Sequence, residues 1–123
     1  MAPKNILDMV AGQTIVSLPP EAIVWEAANS MKAHDVGAVL VVEDKTLVGI
    51  FTERDMVRLM VDADFDLATA TLDQVMTPDP DFASPETSVS DALWSMDRGG
   101  YRHLPVVDGA GAVLGIVSRR DFF

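Results

Sequence analysis

Gly49-Ile-Phe-Thr-Glu-Arg-Asp55 (GIFTERD) returns 66 positions later as Gly115-Ile-Val-Ser-Arg-Arg-Asp121 (GIVSRRD). A glycine, an apolar pair, a hydroxyl and an aspartate keep their places in both copies. The likeness continues upstream, where Pro20-Glu21 matches Pro85-Glu86, Ser30-Met31 matches Ser95-Met96, and Val41-Val42 matches Val106-Val107. Those pairs stand 65 positions apart, and one extra residue in the turn "DGAGA" moves the register to 66. Val24, Ala27, Ala28 and Met31 are spaced i, i+3, i+4 and i+7, the apolar face of an amphipathic helix. Val89, Ala92, Leu93 and Met96 repeat that face position for position. Two unrelated helices rarely agree so closely, so the chain is an internal duplication.

Both copies present the same order of elements. An extended piece, around Val16 and again around Phe82, precedes the helix. The runs "AVLVV" and "HLPVV" follow, then a polar turn ("EDK" or "DGAGA"), then the apolar runs "LVGIF" and "VLGIV". Two apolar runs around a short polar turn read as a β-hairpin. A second helix from about Glu53 to Val61 closes the first copy. The expected fold is therefore mixed α/β (α+β): two β-α-β-β-α repeats, residues 1–66 and 67–123, with "DADFDLATATLD" between them. Either repeat alone is too small to bury both its faces. The expectation is that the two pack sheet to sheet with pseudo-twofold symmetry.

Composition narrows the function. At 123 residues and 49% hydrophobic, the chain has the length and character of one compact globular module. No run approaches the ~20 apolar residues of a membrane span, and "MAPKNILDMV" lacks a signal peptide's apolar core, so a cytoplasmic location is expected. Without cysteine, disulfides, thiolate catalysis and cysteine-ligated metals are excluded. A net charge of −10 disfavours nucleic acid and anionic membranes, which reward clustered Lys and Arg.

The repeated phrase has two readings. Thr52 to Asp55 is spaced as a capping box, in which the hydroxyl accepts an N–H of the first turn and the acid reaches back. Three features weigh against a cap alone. Both copies use Asp where Glu or Gln is preferred, both carry glycine and an apolar pair in front, and only Phe122 and Phe123 follow Asp121. The alternative is a ligand. A helix N-terminus with a hydroxyl suits phosphate, and a carboxylate one turn in suits two sugar hydroxyls. Gly49 and Gly115 would let the backbone approach a flat base. Together these groups point to a nucleotide.

The duplicated unit, with "VMTP" opening its second copy, "LPVVD" in a strand and G-h-h-[S/T]-x-x-D twice, resembles a tandem pair of cystathionine β-synthase (CBS) domains, or Bateman module. The resemblance spans about Ile6 to Phe123 and is similar to small stand-alone prokaryotic proteins of that family, with no segment left for an attached enzyme. It implies clefts between repeats that bind AMP, ADP, ATP, NAD or S-adenosylmethionine as regulatory ligands, with no cofactor required. The motif aspartate would hold the ribose hydroxyls, and the motif Ser or Thr would lie near phosphate.

Carried onto this chain, the resemblance implies two sites. One comprises Asp121 and Ser118, with Ile116, Val16, Val36, Gly37 and Ala38 against the base and Arg102, His103 and Arg120 toward phosphate. The weaker one comprises Asp55 and Thr52 with Ile50, Arg54, Asp81 and Tyr101. The first is favoured because Val16 continues an apolar base wall where the second has Asp81. A buried carboxylate there is costly unless it finds a donor, such as an adenine amino group. Arg102, Arg119 and Arg120, three of six arginines, also gather near the first site and suit phosphate. Against it, the family's second helix normally continues past the motif, whereas this sequence stops at Phe123.

Other patterns fall short. Asp62, Asp64, Asp66 and Asp73 have calcium-loop spacing, but Leu67 stands where glycine is needed and Asp73 where glutamate is needed. His34 and His103 have no third ligand, so no metal is expected. No nucleophile–base set or phosphate-binding loop appears, so an enzyme is not expected. Trp25 and Trp94 are expected to pack near the helical faces. The reading is a sensor of adenosyl ligands. The alternatives are a ligand-free dimerisation scaffold and a detached regulatory piece of an enzyme such as IMP dehydrogenase. Outward helical faces and the terminal phenylalanines predict a homodimer, with an unidentified protein target also possible.

Overall fold

The structure is a computed structural model that describes residues 5–62 and 66–123. In chain order its elements are α1 (Ile6–Val10), β1 (Ser17–Leu18), α2 (Val24–His34), β2 (Ala38–Glu43), β3 (Thr46–Thr52), α3 (Glu53–Met60), α4 (Leu72–Val75), β4 (Thr77–Pro78), α5 (Val89–Gly99), β5 (His103–Val107) and β6 (Val113–Ser118). A 3₁₀ turn, Arg119–Phe122, follows β6. The fold is mixed α/β, as the periodicities predict. Among the described residues its contacts form two compact units: a central one within Val16–Pro80, and a terminal one that joins Asp81–Phe123 to residues 5–15.

The central unit carries a four-stranded sheet in the order β1-β2-β3-β4, with β1 parallel to β2 and the other pairs antiparallel. The β2–β3 hairpin closes through Asp44 and Lys45, both at positive φ, as a two-residue turn matched to strand twist requires. Helix α2 buries Val24, Ala27 and Met31, three of the four residues of its sequence-defined face. They pack with Ala22, Val39, Val41, Phe51 and Leu72.

The terminal unit repeats this plan. Helix α5 buries Ala92 and Met96. They pack with Ile6, Val10, Ala83, Leu104, Val106 and Val117. The β5–β6 hairpin closes over Asp108, whose carboxylate accepts from Ala110 N and Ala112 N. Pro105 tolerates its strand because the parallel bridge beside it uses only the Pro105 carbonyl and the Val107 N–H, bonded to Ala83 at 2.8 Å each.

The duplication reaches the irregularities. Each hairpin has a register shift at the same place, between Val41 and Val42 and between Val106 and Val107. In both, the skipped residue (Val48 or Leu114) directly precedes the motif glycine. A bulge bends its strand and re-aims the residues beyond it, here the hydroxyl and aspartate of the motif.

Two expectations need correction. Trp25 and Trp94 are not packing residues: they are 55% and 60% exposed. Each lies on the helix face turned away from the buried Val24–Ala27–Met31 and Ala92–Met96 stripes, and Arg98 stacks on the Trp94 ring at 4.7 Å. The motif glycines, read as openings for a base, are covered by protein. A side chain at Gly49 would collide with Met76, and one at Gly115 would come within 2.7 Å of Val10 Cβ.

Those two contacts share a logic that local pattern does not show. Met76 follows α4, the start of the second repeat, yet it covers the first repeat's glycine. Val10 ends α1, at the start of the first repeat, and covers the second repeat's glycine. Ile6 and Leu72, both fully buried, anchor these short helices in equivalent places. Among the described residues, no helix is long and apolar enough to cross a membrane.

Candidate functional site

The central unit holds its copy of the motif at the end of β3. Thr52 pairs with Ala38 across the hairpin, and Glu53 N donates to the Gly37 carbonyl at 2.9 Å. Gly37 and Ala38 therefore lie beside Thr52 within one unit. Ile50 is buried in β3, Val16 is half-buried against this unit's core, and Val36 is exposed. The Val16 carbonyl accepts from Leu40 N at 3.0 Å, which ties its backbone to β2.

Asp55 is held firmly. Its Oδ2 accepts from Thr52 N and from Thr52 Oγ1, both at 3.0 Å, while Asp55 N donates to Thr52 Oγ1 at 3.2 Å. The capping box discounted from sequence is thus formed, because a one-carbon-shorter acid still reaches the N-cap amide. Oδ1 lies 3.9 Å from Nη1 of exposed Arg58. One carboxylate oxygen is locked by the cap, and the other is paired with Arg58. Arg54, exposed on the first turn of α3, adds a cation to the same helix end.

The terminal unit holds the second copy more loosely. Asp121 Oδ2 accepts from Ser118 N at 2.7 Å, closing the same back-bond over a 3₁₀ turn. Asp121 is exposed, whereas Asp55 is half-buried. Ser118 pairs with His103 across the hairpin, and Arg119 N donates to the Arg102 carbonyl at 2.8 Å. The expected companions Arg102, His103, Ser118 and Asp121 are therefore brought together by backbone pairing. Arg102 and Arg120 are exposed. Arg119 forms an ion pair with Asp97 instead of adding to a phosphate cluster.

Asp81 departs from expectation. It is exposed, not part of a buried wall, and its donor is Tyr101 Oη at 2.8 Å within the same unit. Burial of the phenol, then the hydrogen bond and charge of Asp81, push the Tyr101 hydroxyl up to about 12 against a small opposing effect of Arg98. The tyrosine ring in turn fills the space where a side chain at Gly99 would stand.

Gln13 was missed by sequence reasoning. Its Nε2 donates to the Ile116 carbonyl at 2.9 Å, and its Oε1 accepts from Ile116 N at 2.7 Å. No periodicity could have marked a polar residue in a loop 103 positions away. Of the calcium-spaced acids, Asp64 lies outside the described residues, and Asp66 caps Ala68 N at 2.9 Å. Asp73 accepts from the Thr71 hydroxyl. Among the described residues, no group of three or more His, Cys, Asp or Glu could hold a metal ion.

Known proteins share the repeated unit. The family model described as CBS domain matches residues 9–62 and 72–123. The 17.7 kDa protein in the bps2 3′ region of Acidianus ambivalens is 35% identical over 116 residues, 94% of this chain and 69% of that protein. The meiotically up-regulated gene 70 protein of Schizosaccharomyces pombe is 40% identical over 95 residues, 77% of this chain, which spans only 13% of that longer protein. Among solved structures, a CBS domain protein of Pyrobaculum aerophilum complexed with AMP superposes with a TM-score of 0.88 at 26% identity, covering 96% of this chain and 89% of that one.

Proposed function

This chain belongs to the CBS-domain family and carries the domain twice, and from that premise we propose that it is a regulatory module that binds an adenosine-containing ligand. The observation that carries the reading is the locked aspartate, present in both copies. Asp55 and Asp121 each spend one oxygen on the N-cap amide and are fixed beside the first-turn amides of a helical turn. A fixed carboxylate is an acceptor for two adjacent sugar hydroxyls, and first-turn amides receive phosphate. The AMP complex of the Pyrobaculum aerophilum protein supports an adenine nucleotide as the ligand class. No reaction is assigned to the chain.

In this reading Asp121, Ser118, Ile116, Arg120, Arg102 and His103 contribute to the stronger site. Asp55, Thr52, Ile50 and Arg54 contribute to the weaker one. The outcome of binding is a change of shape or partner in a homodimer. The exposed outer faces of the helices support that dimer, with Trp25, Val57 and Met60 in the central unit and Trp94 in the terminal one.

A thermal-shift panel of AMP, ADP, ATP, NAD and S-adenosylmethionine tests the reading. A ligand at 100 times its Kd stabilises by about 2.7 kcal/mol, a shift of several degrees for a domain of this size. If none of the five moves the transition at millimolar concentration, the module is a ligand-free scaffold. Light scattering tests the dimer separately, since a 13.3 kDa particle across micromolar concentrations would exclude it.

A further inference from the structure

The two units complete their hairpins differently. In the central unit a strand closes the outer edge of β3, where Ile50 pairs with Thr77 and Gly49 with Pro78. The equivalent residues of the terminal unit, Ala11 and Gly12, do not form a strand, because Gly12 at φ 73 turns the chain away. The outer edge of β6 would then leave the Ile116 N–H and carbonyl without a backbone partner. The Gln13 carboxamide occupies that place and, with one donor and one acceptor, reproduces the pairing of a peptide group. Gly115 is shaped to admit it, since a side chain there would come within 2.6 Å of Gln13 Oε1.

We propose that Gln13 is a positioning residue for the second motif: by pinning Ile116 it sets the course of β6 into Ser118 and Asp121. Val117 and Ser118 are the only residues between the pinned position and the turn, and Asp121 bonds back to Ser118 N. Through Gln13 the N-terminal segment controls the geometry of the aspartate from outside the motif. The consequence for ligand affinity rests on the nucleotide reading above. The positional effect itself does not.

Both parts are tested on the full chain by amide exchange, NMR and calorimetry with AMP. In Gln13→Leu, which is one atom shorter and has neither donor nor acceptor, the Ile116 amide should exchange at least about tenfold faster, the gain of an opened protected site. Val117, opposite Leu104 in the hairpin, should stay protected as an internal control. The Ser118 and Asp121 resonances should move, and AMP should bind about fivefold more weakly, the worth of one net hydrogen bond. Gln13→Glu keeps the acceptor for Ile116 N but sets a carboxylate oxygen against the Ile116 carbonyl, so it should fall between the wild type and Gln13→Leu in both exchange and affinity. If Gln13→Leu fails to fold, Gln13→Asn, one methylene too short to reach, makes the same comparison. Unchanged exchange at Ile116, or faster exchange with Ser118 and Asp121 unmoved, overturns the proposal. If the wild-type chain binds no AMP, the nucleotide reading falls, and the Ser118 and Asp121 resonances alone decide the role of Gln13.

Discussion

Replacing each motif aspartate separates its two duties, capping and binding, because the copies differ in how much of each they carry. Asp121→Ala removes one back-bond, to Ser118 N, from an exposed turn four residues long. Its stability cost is about 0.5 kcal/mol, the low end for a lost cap. Its binding cost is larger. A hydrogen bond to a charged group is worth about 1.5–3 kcal/mol, and the exposure of Asp121 places it near the lower figure, roughly 10- to 30-fold in affinity for AMP. Asp55→Ala reverses the balance. It removes two bonds accepted from Thr52, N and Oγ1, at the start of an eight-residue helix. That should cost about 1–1.5 kcal/mol and lower Tm by several degrees, while most AMP binding survives. Asp121→Asn is the control, since its amide oxygen still accepts from Ser118 N but no longer carries charge. Calorimetry with AMP beside a thermal melt reads both quantities on each variant. The reasoning is refuted if Asp55→Ala weakens AMP more than Asp121→Ala does. It is refuted equally if Asp121→Ala loses stability and keeps its affinity, for the motif would then be a cap and nothing more.

Asp35 ends α2 in the left-handed conformation (φ 53), where the other repeat has Gly100 (φ 73). Asp35→Gly should therefore stabilise by about 0.5–1 kcal/mol in a urea titration, since it relieves Cβ strain and removes an anion from a helix C-terminus. A loss of stability would show that strain is not the governing cost there. Gly115→Ala should destabilise more than Gly49→Ala, by about 1–3 kcal/mol. At Gly115 the intruding methyl meets Val10 next to its backbone, whereas at Gly49 it meets only the flexible Met76 side chain. Equal losses by urea titration would remove that distinction. Tyr101 is the chain's single tyrosine, so its absorbance titrates without overlap. Its folded pKa lies above the ordinary value, so the bond to Asp81 stabilises fully below pH 10 and is lost as pH rises toward about 12. The contribution is no more than about 1 kcal/mol because water reaches the pair. Asp81→Asn should bring the tyrosinate transition down toward its ordinary value, and an unmoved transition would deny Asp81 that influence.

The duplication, the hairpins and the buried helix faces were legible in the sequence because each is written in short-range spacing. Period 3.6 marks Val24, Ala27 and Met31 for burial wherever the helix docks, and a two-residue polar turn commits its flanking strands to pair. The motif aspartates were legible for the same reason, since their capping partners stand three residues away. What the spacing could not decide was which segment covers which edge. Ile6 and Val10 belong by sequence to the first repeat but complete the core under the second repeat's strands, and Leu72 and Met76 do the reverse. A short apolar helix carries the same pattern whichever core it enters, so the choice is made by shape and by glycines that leave room for it. Asp81 reads as a misplaced carboxylate until Tyr101, 20 residues on, supplies its donor. Gln13 is an ordinary loop residue until the fold brings it to an open strand edge whose N–H and carbonyl need a partner. Such pairings depend on distance in space, and the sequence records only distance along the chain.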